Sequence, residues 1–184
     1  CSWARWLSSK RVSASERNYD AHLGSIGDFL DFAAELCASR GLGGEAFGDL
    51  LRWERMKQLF RSGAPGTQLP IDVAAGGQGS RMRLNPTVRV EQFRHAPEID
   101  TAGPDGAPVS VAFLRRRDGG AGIVRVGLLA TAIMQVADET GHPSRLTAAL
   151  GDLVPPGATP DERHMRSVRS TLDQLVTSEV VFLN

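Results

Sequence analysis

At 184 residues the chain is long enough for one domain, or two small ones, around an ordinary buried core. Its 41% hydrophobic and 23% charged content describes a soluble globular protein, and no apolar run approaches the ~20 residues that a membrane helix needs. The 21 basic and 21 acidic residues cancel, and they stay close to balance in every third of the chain, so no segment is a strongly basic module that would hold nucleic acid by bulk charge.

The chain opens on Cys1. A lipid-anchored cysteine would be followed by a flexible polar tether, and Trp3 and Trp6 come too soon for one. An autocleaved hydrolase could use Cys1 as a nucleophile with its own amine as base. A fragment of a longer chain is the plainest of the three readings. Cys1 and Cys37 make neither a disulfide framework nor metal-ligand spacing, so a reducing cytoplasm is the expected compartment.

Residues 1–62 read as a helical region. Trp3, Trp6 and Leu7 suggest a short first helix, and Ser13-Ala14-Ser15-Glu16 fits a capping box for the next. Tyr19, Leu23, Ile26, Leu30, Ala33 and Cys37 then recur at three- and four-residue steps, as one apolar helix face does, with Gly41 as the stop. A further helix is expected from Glu45 to Arg61, with Phe47, Leu50, Leu51, Met56, Leu59 and Phe60 inward.

Residues 63–120 read as a loop-rich linker with short strands. Glycine-rich punctuation, Ser62 to Gly66 and Gly76 to Gly79, flanks a possible strand at Ile71-Asp72-Val73. Thr87 to Phe93 and Pro108 to Leu114 are better strands, joined through Pro97, Gly103, Pro104 and Gly106. Arg115 to Gly120 closes the second with a turn.

Residues 121–184 read as a three-helix module. Its first helix is expected from Ile123 to Glu139, broken by Thr140-Gly141-His142-Pro143, and its second from Ser144 to Leu153 before Pro155-Pro156-Gly157. The third, Pro160 to Thr177, would be capped by Thr159, with Pro160 at its first position and Glu162 completing a capping box. Met165, Val168, Leu172, Leu175 and Val176 fall on one face, while Arg163, Arg166, Ser167, Arg169, Ser170 and Gln174 fall on the other. Arginine and serine so placed can reach phosphates or base edges from a groove.

Arg166-x-x-Arg169-x-x-Leu172-x-x-Leu175 followed by Val180-Val181 resembles the recognition helix and wing of winged helix-turn-helix proteins. The resemblance implies that the third helix enters a DNA groove through Arg163, Arg166, Arg169 and Ser170, and that Val180 to Leu183 is the first wing strand. Trp6 to Ser13, with Asn18-Tyr19 and Phe29 to Phe32, is similar to the start of the core-binding arm of tyrosine recombinases, although the catalytic Arg, His and Tyr set of that family is not discernible.

Other chemistry finds less support. His22, His95, His142 and His164 lack metal-ligand spacing, Gly76 to Ser80 lacks the Gly-Lys-Ser/Thr ending of a phosphate loop, and no Gly-x-Ser-x-Gly elbow occurs. His164 lies beside three arginines and could touch a phosphate. Arg115-Arg116-Arg117 is a basic cluster that could hold backbone phosphate by charge alone, although Asp118 follows and a solvated turn is the ordinary explanation. Asp28 and Asp31 share a helix face with no nucleophilic neighbour. The expectation is an α+β protein: a helical N-terminal region, a small β element and a winged-helix-like three-helix module. It would be a DNA-binding part of a mobile-element, replication or regulatory protein with duplex DNA as partner and no cofactor or metal. A protein-interaction module, with a protein partner or a second copy of the chain, and a hydrolase using Cys1 are the alternatives.

Overall fold

The computed structural model describes residues 19–41, 43–63, 81–96, 107–146 and 161–183. The protein is α+β, with helices first and strands after them. Its elements are α1 (Tyr19–Ser39), α2 (Glu45–Arg61), β1 (Met82–Leu84), β2 (Arg89–Phe93), β3 (Val109–Arg115), β4 (Ala121–Val126), α3 (Leu128–Glu139), a 3-10 turn (Pro143–Arg145), α4 (Glu162–Thr177) and β5 (Val181–Leu183). Two compact units result: residues 1–64 with 93–108, and residues 65–92 with 109–184. Of the region expected as a 63–120 linker, β1, β3 and β2 up to Gln92 fall in the second unit with the C-terminal helices.

In the first unit α1 packs on α2. Leu30 and Ala33 of the expected α1 stripe are buried, and Ile26 and Cys37 half-buried. α2 has the expected bounds but presents a different face. Its buried residues are Asp49, Trp53, Lys57 and Phe60, whereas Leu50 is exposed and Phe47, Leu51, Met56 and Leu59 are only half-buried. Trp53 sets this rotation by packing edge-on against Phe93, with ring centroids 5.3 Å apart.

Asp49 holds the Phe93–His95 segment to α2. Its Oδ2 accepts the backbone N–H of Arg94 at 2.8 Å and of His95 at 2.9 Å, while Oδ1 accepts Arg52. Burial pushes the carboxyl up, but these donors outweigh it and leave Asp49 below its ordinary value of 3.8. A depressed carboxyl contributes stability above its unfolded value and loses it as pH falls through the folded one. Asp49→Ala is therefore expected to cost about 1–3 kcal/mol at pH 7, because two N–H groups lose their acceptor. The deficit should shrink as the pH falls below 4 in chemical denaturation, and a deficit that grows there would contradict this role.

In the second unit β3 is the middle strand of the sheet β2-β3-β4. Val109 and Val111 through Leu114 are all buried, the unbroken apolar run of a strand covered on both faces. β4 runs antiparallel to β3, with Phe113 opposite Ile123 and Ser110 opposite Val126. Ile123 to Val126 is thus strand, not the start of the expected helix. The β-branched run pairs with β3, and Gly127, in extended conformation, is the N-cap of α3. Periodicity could not separate the two, since a short apolar run fits either.

α3 and α4 pack together, and α3 also touches β1, β4 and the 3-10 turn. Their core gathers Ala130, Ile133, Met134, Val136 and Ala137 of α3 with Val168 and Leu175 of α4, Val180, Val181, Met82 and Leu146. β5 pairs antiparallel with β1, Met82 opposite Leu183 and Leu84 opposite Val181, so the terminal strand closes on an upstream partner. That partner lies in the stretch read from sequence as loop. Asn85, fully buried, knots this region. Its amide donates to the carbonyls of Arg115 and Glu179, and its Oδ1 accepts the N–H and hydroxyl of Thr87.

The expected capping box at Ser13, the strand at Ile71, the glycine-rich loop at Gly76, the second module helix beyond Leu146, and Thr159 and Pro160 lie outside the described residues. Among the described residues no helix is long and apolar enough to cross a membrane.

Candidate functional site

α4 carries the candidate side chains because its sequence separates two faces. Val168 and Leu175 are buried, with Met165, Leu172 and Val176 packed beside them against the core. Arg163, Arg166, Ser167, Arg169, Ser170, Asp173 and Gln174 are exposed. At 100° per residue Arg163, Arg166, Ser170, Gln174 and Thr177 form one strip, with Arg169 and Asp173 along its edge.

The helix starts at Glu162 with Asp161 as its cap, two residues inside the expected start at Pro160 and expected cap at Thr159. Asp161 Oδ1 accepts the His164 backbone N–H at 2.9 Å and lies 2.7 Å from its ring Nδ1. An aspartate is among the strongest N-caps, and here it satisfies an amide of the first turn that has no helical partner. The backbone and ring bonds from His164 hold the Asp161 carboxyl below its ordinary value. The same bond draws the His164 ring toward the cap and off the arginine strip.

The strip borders a groove of about 760 Å³, lined by Arg166, Arg169, Ser170, Asp173, Gln174, Thr177 and Ser178 and, from the β3–β4 turn, Arg116. Three of the four residues expected from sequence, Arg166, Arg169 and Ser170, are brought together there, and Arg163 stands one turn nearer the helix start. Arg166 and Arg169 also border a second hollow, about 470 Å³, with Asp161, Glu162 and Met165. The two arginines form a ridge between the groove, where Arg116 joins them against Asp173 alone, and the hollow, where Asp161 and Glu162 balance them. Among the described residues no carboxylate is ion-paired with Arg116, Arg163, Arg166 or Arg169.

Arg116 is the residue that sequence reasoning set aside, as part of a solvated turn. The run Arg115-Arg116-Arg117 marks a local basic cluster, but its shared groove could not be read locally, since about 50 residues separate it from the α4 residues there. Its neighbour Arg117 lies with its guanidinium carbon 4.4 Å from the Phe182 ring centroid, a cation–π contact. Of the other sequence candidates, Asp31 pairs with Arg55, Asp28 is exposed, and Cys37 is a half-buried free thiol. Cys1 lies outside the described residues. Among the described residues no group of three His, Cys, Asp or Glu side chains is arranged to hold a metal ion.

Comparison of the sequence with protein-family models finds no match, and neither does comparison with curated proteins.

Proposed function

We propose that this chain binds duplex DNA through the outer face of α4, as a DNA-binding part of a mobile-element, replication or regulatory protein. The observation that carries the reading is the continuous exposed strip of Arg163, Arg166 and Ser170, with Arg169 at its edge, on a helix whose opposite face is anchored in the core. A helix of about 10–12 Å diameter fits the major groove of about 12 Å, where arginine can bond a guanine edge or a phosphate. The chain's zero net charge implies few phosphate contacts, so a single copy binds weakly and useful affinity needs a second copy or a larger assembly.

The test is a low-salt titration of mixed-sequence duplexes with wild type, Arg166→Ala and Arg169→Ala. Each variant is expected to lose about 1–3 kcal/mol of binding if its arginine reads a base. Folding should change by no more than about 0.5 kcal/mol, as both side chains are exposed. Equal binding by all three proteins, or none by wild type, removes the reading.

A protein-docking role is the second reading. Residues 121–184 hold five basic and seven acidic residues, and Leu128 at the start of α3 is 81% exposed. Docking through that surface would leave little duplex affinity at any salt, whereas phosphate contacts make affinity fall steeply as salt rises.

A further inference from the structure

We infer that the β3–β4 turn is a second arm of this site, and that Arg116 together with Arg169, Ser170 and Gln174 of α4 grips the phosphodiester backbone of one DNA strand. The inference rests on the DNA-binding reading above and adds a residue and a ligand chemistry to it. The groove brings three guanidiniums, Arg116, Arg166 and Arg169, against one carboxylate, Asp173. Ser170, Gln174 and Thr177 line the rest with side chains that can donate to phosphate oxygens, while the Ser178 hydroxyl donates to the Gln174 carbonyl at 2.8 Å and closes the helix end. From Arg166 to Thr177 the wall runs about 16 Å along the helix, or roughly five steps of a DNA strand.

Two effects oppose anion binding here. Asp173 is one, and the C-terminal end of α4 near Thr177 is the other, since helix C-termini carry partial negative charge. Together they amount to about one and a half charges against three, so the groove stays attractive to phosphate. The hollow on the other side of the Arg166–Arg169 ridge has the better helix end, but Asp161 already occupies it and Glu162 stands beside it. The anion therefore belongs on the Arg116 side.

The turn is also built to hold still. The Arg116 N–H donates to the Gly120 carbonyl at 2.8 Å, Gly119 donates back to the Arg116 carbonyl at 3.0 Å, and Asp118 accepts the Gly120 N–H at 2.7 Å. On one side of Arg116 the Arg115 carbonyl is bonded by Asn85, and on the other the Arg117 N–H donates to Glu179 Oε2 at 2.6 Å. Glu179 follows α4 directly and holds a left-handed φ of 61°, its own carbonyl fixed by Asn85. A Cβ at Gly122 would stand 2.9 Å from the Leu114 side chain and 3.2 Å from Arg116 Nε, so the glycine leaves room for both. The flanking residues are tied to the end of α4, and the one guanidinium between them faces the groove. A preorganised arm of this kind orders few side chains on binding, which favours affinity.

The test compares wild type, Arg116→Ala, Arg116→Lys, Arg145→Ala and Arg166→Ala on two unrelated duplex sequences over a series of salt concentrations. Arg145 is exposed and outside the groove, so its loss removes the same charge from elsewhere. Arg116→Ala is expected to weaken binding about tenfold at low salt on both sequences and to lower the log–log salt slope by about 1. Arg116→Lys should restore the slope, and Arg145→Ala should change affinity less than about twofold, since an exposed charge at a distance is screened. If Arg116→Ala matches Arg145→Ala while Arg166→Ala still weakens binding, the arm is overturned and the α4 reading stands. If wild type binds neither duplex, both are overturned.

Discussion

Asn85→Ala is expected to destabilise the second unit by about 3–4 kcal/mol, near the top of the range for a single substitution. The side chain is fully buried and all four of its hydrogen-bonding positions are used. Removing it strands the buried N–H of Thr87 and the part-buried carbonyls of Arg115 and Glu179. Thr87 extends the knot, since its hydroxyl oxygen also accepts the Arg115 N–H at 2.9 Å. Thr87→Val should therefore cost less than Asn85→Ala, and the double variant less than their sum, by about 1 kcal/mol of coupling. Urea denaturation of the four proteins measures this. A loss below about 1 kcal/mol for Asn85→Ala would mean that β1, the β3–β4 turn and the Glu179 turn are held by something else.

Gly141→Ala is expected to cost about 2–4 kcal/mol through two separate effects. The residue sits at φ 65°, where a Cβ costs roughly 1–2 kcal/mol, and that Cβ would lie 2.6 Å from the Met82 carbonyl oxygen. The contact is with backbone, so no side chain can rotate away. Relief would require moving β1, whose Met82 N–H donates to the Gly141 carbonyl at 2.7 Å. Gly48 gives the opposite sign. It lies inside α2 with nothing within 4 Å of a modest Cβ, so Gly48→Ala should stabilise by roughly 0.5–1 kcal/mol. Thermal unfolding of both variants checks the pair. Destabilisation by Gly48→Ala, or neutrality of Gly141→Ala, would contradict the packing described.

Local chemistry made much of this fold legible. The bounds of α2 follow from a long helix-forming run between glycine and serine, and the buried face of α4 follows from Val168, Leu172 and Leu175 at helical spacing. What escaped depends on distant partners. β1 is three residues whose mate, Val181 to Leu183, lies about 100 positions away, so no alternation could mark it. Ile123 to Val126 reads as helix until β3 is beside it. Trp53 faces inward because Phe93 is there, a contact that turns α2 away from the face its leucines suggest. The site divides in the same way. The α4 arginines stand out by spacing alone, whereas Arg116 gains its setting only when the β3–β4 turn reaches the end of α4.

The outer face of α4 is tested most directly by adding a mixed-sequence duplex to ¹⁵N-labelled protein at low salt and following the backbone amides. The account predicts shifts centred on Arg163 to Ser178, with a second group at Arg116 to Gly120, while α2 stays unmoved. No shifts, or shifts centred on α2 or on Leu128 with α4 silent, would contradict it.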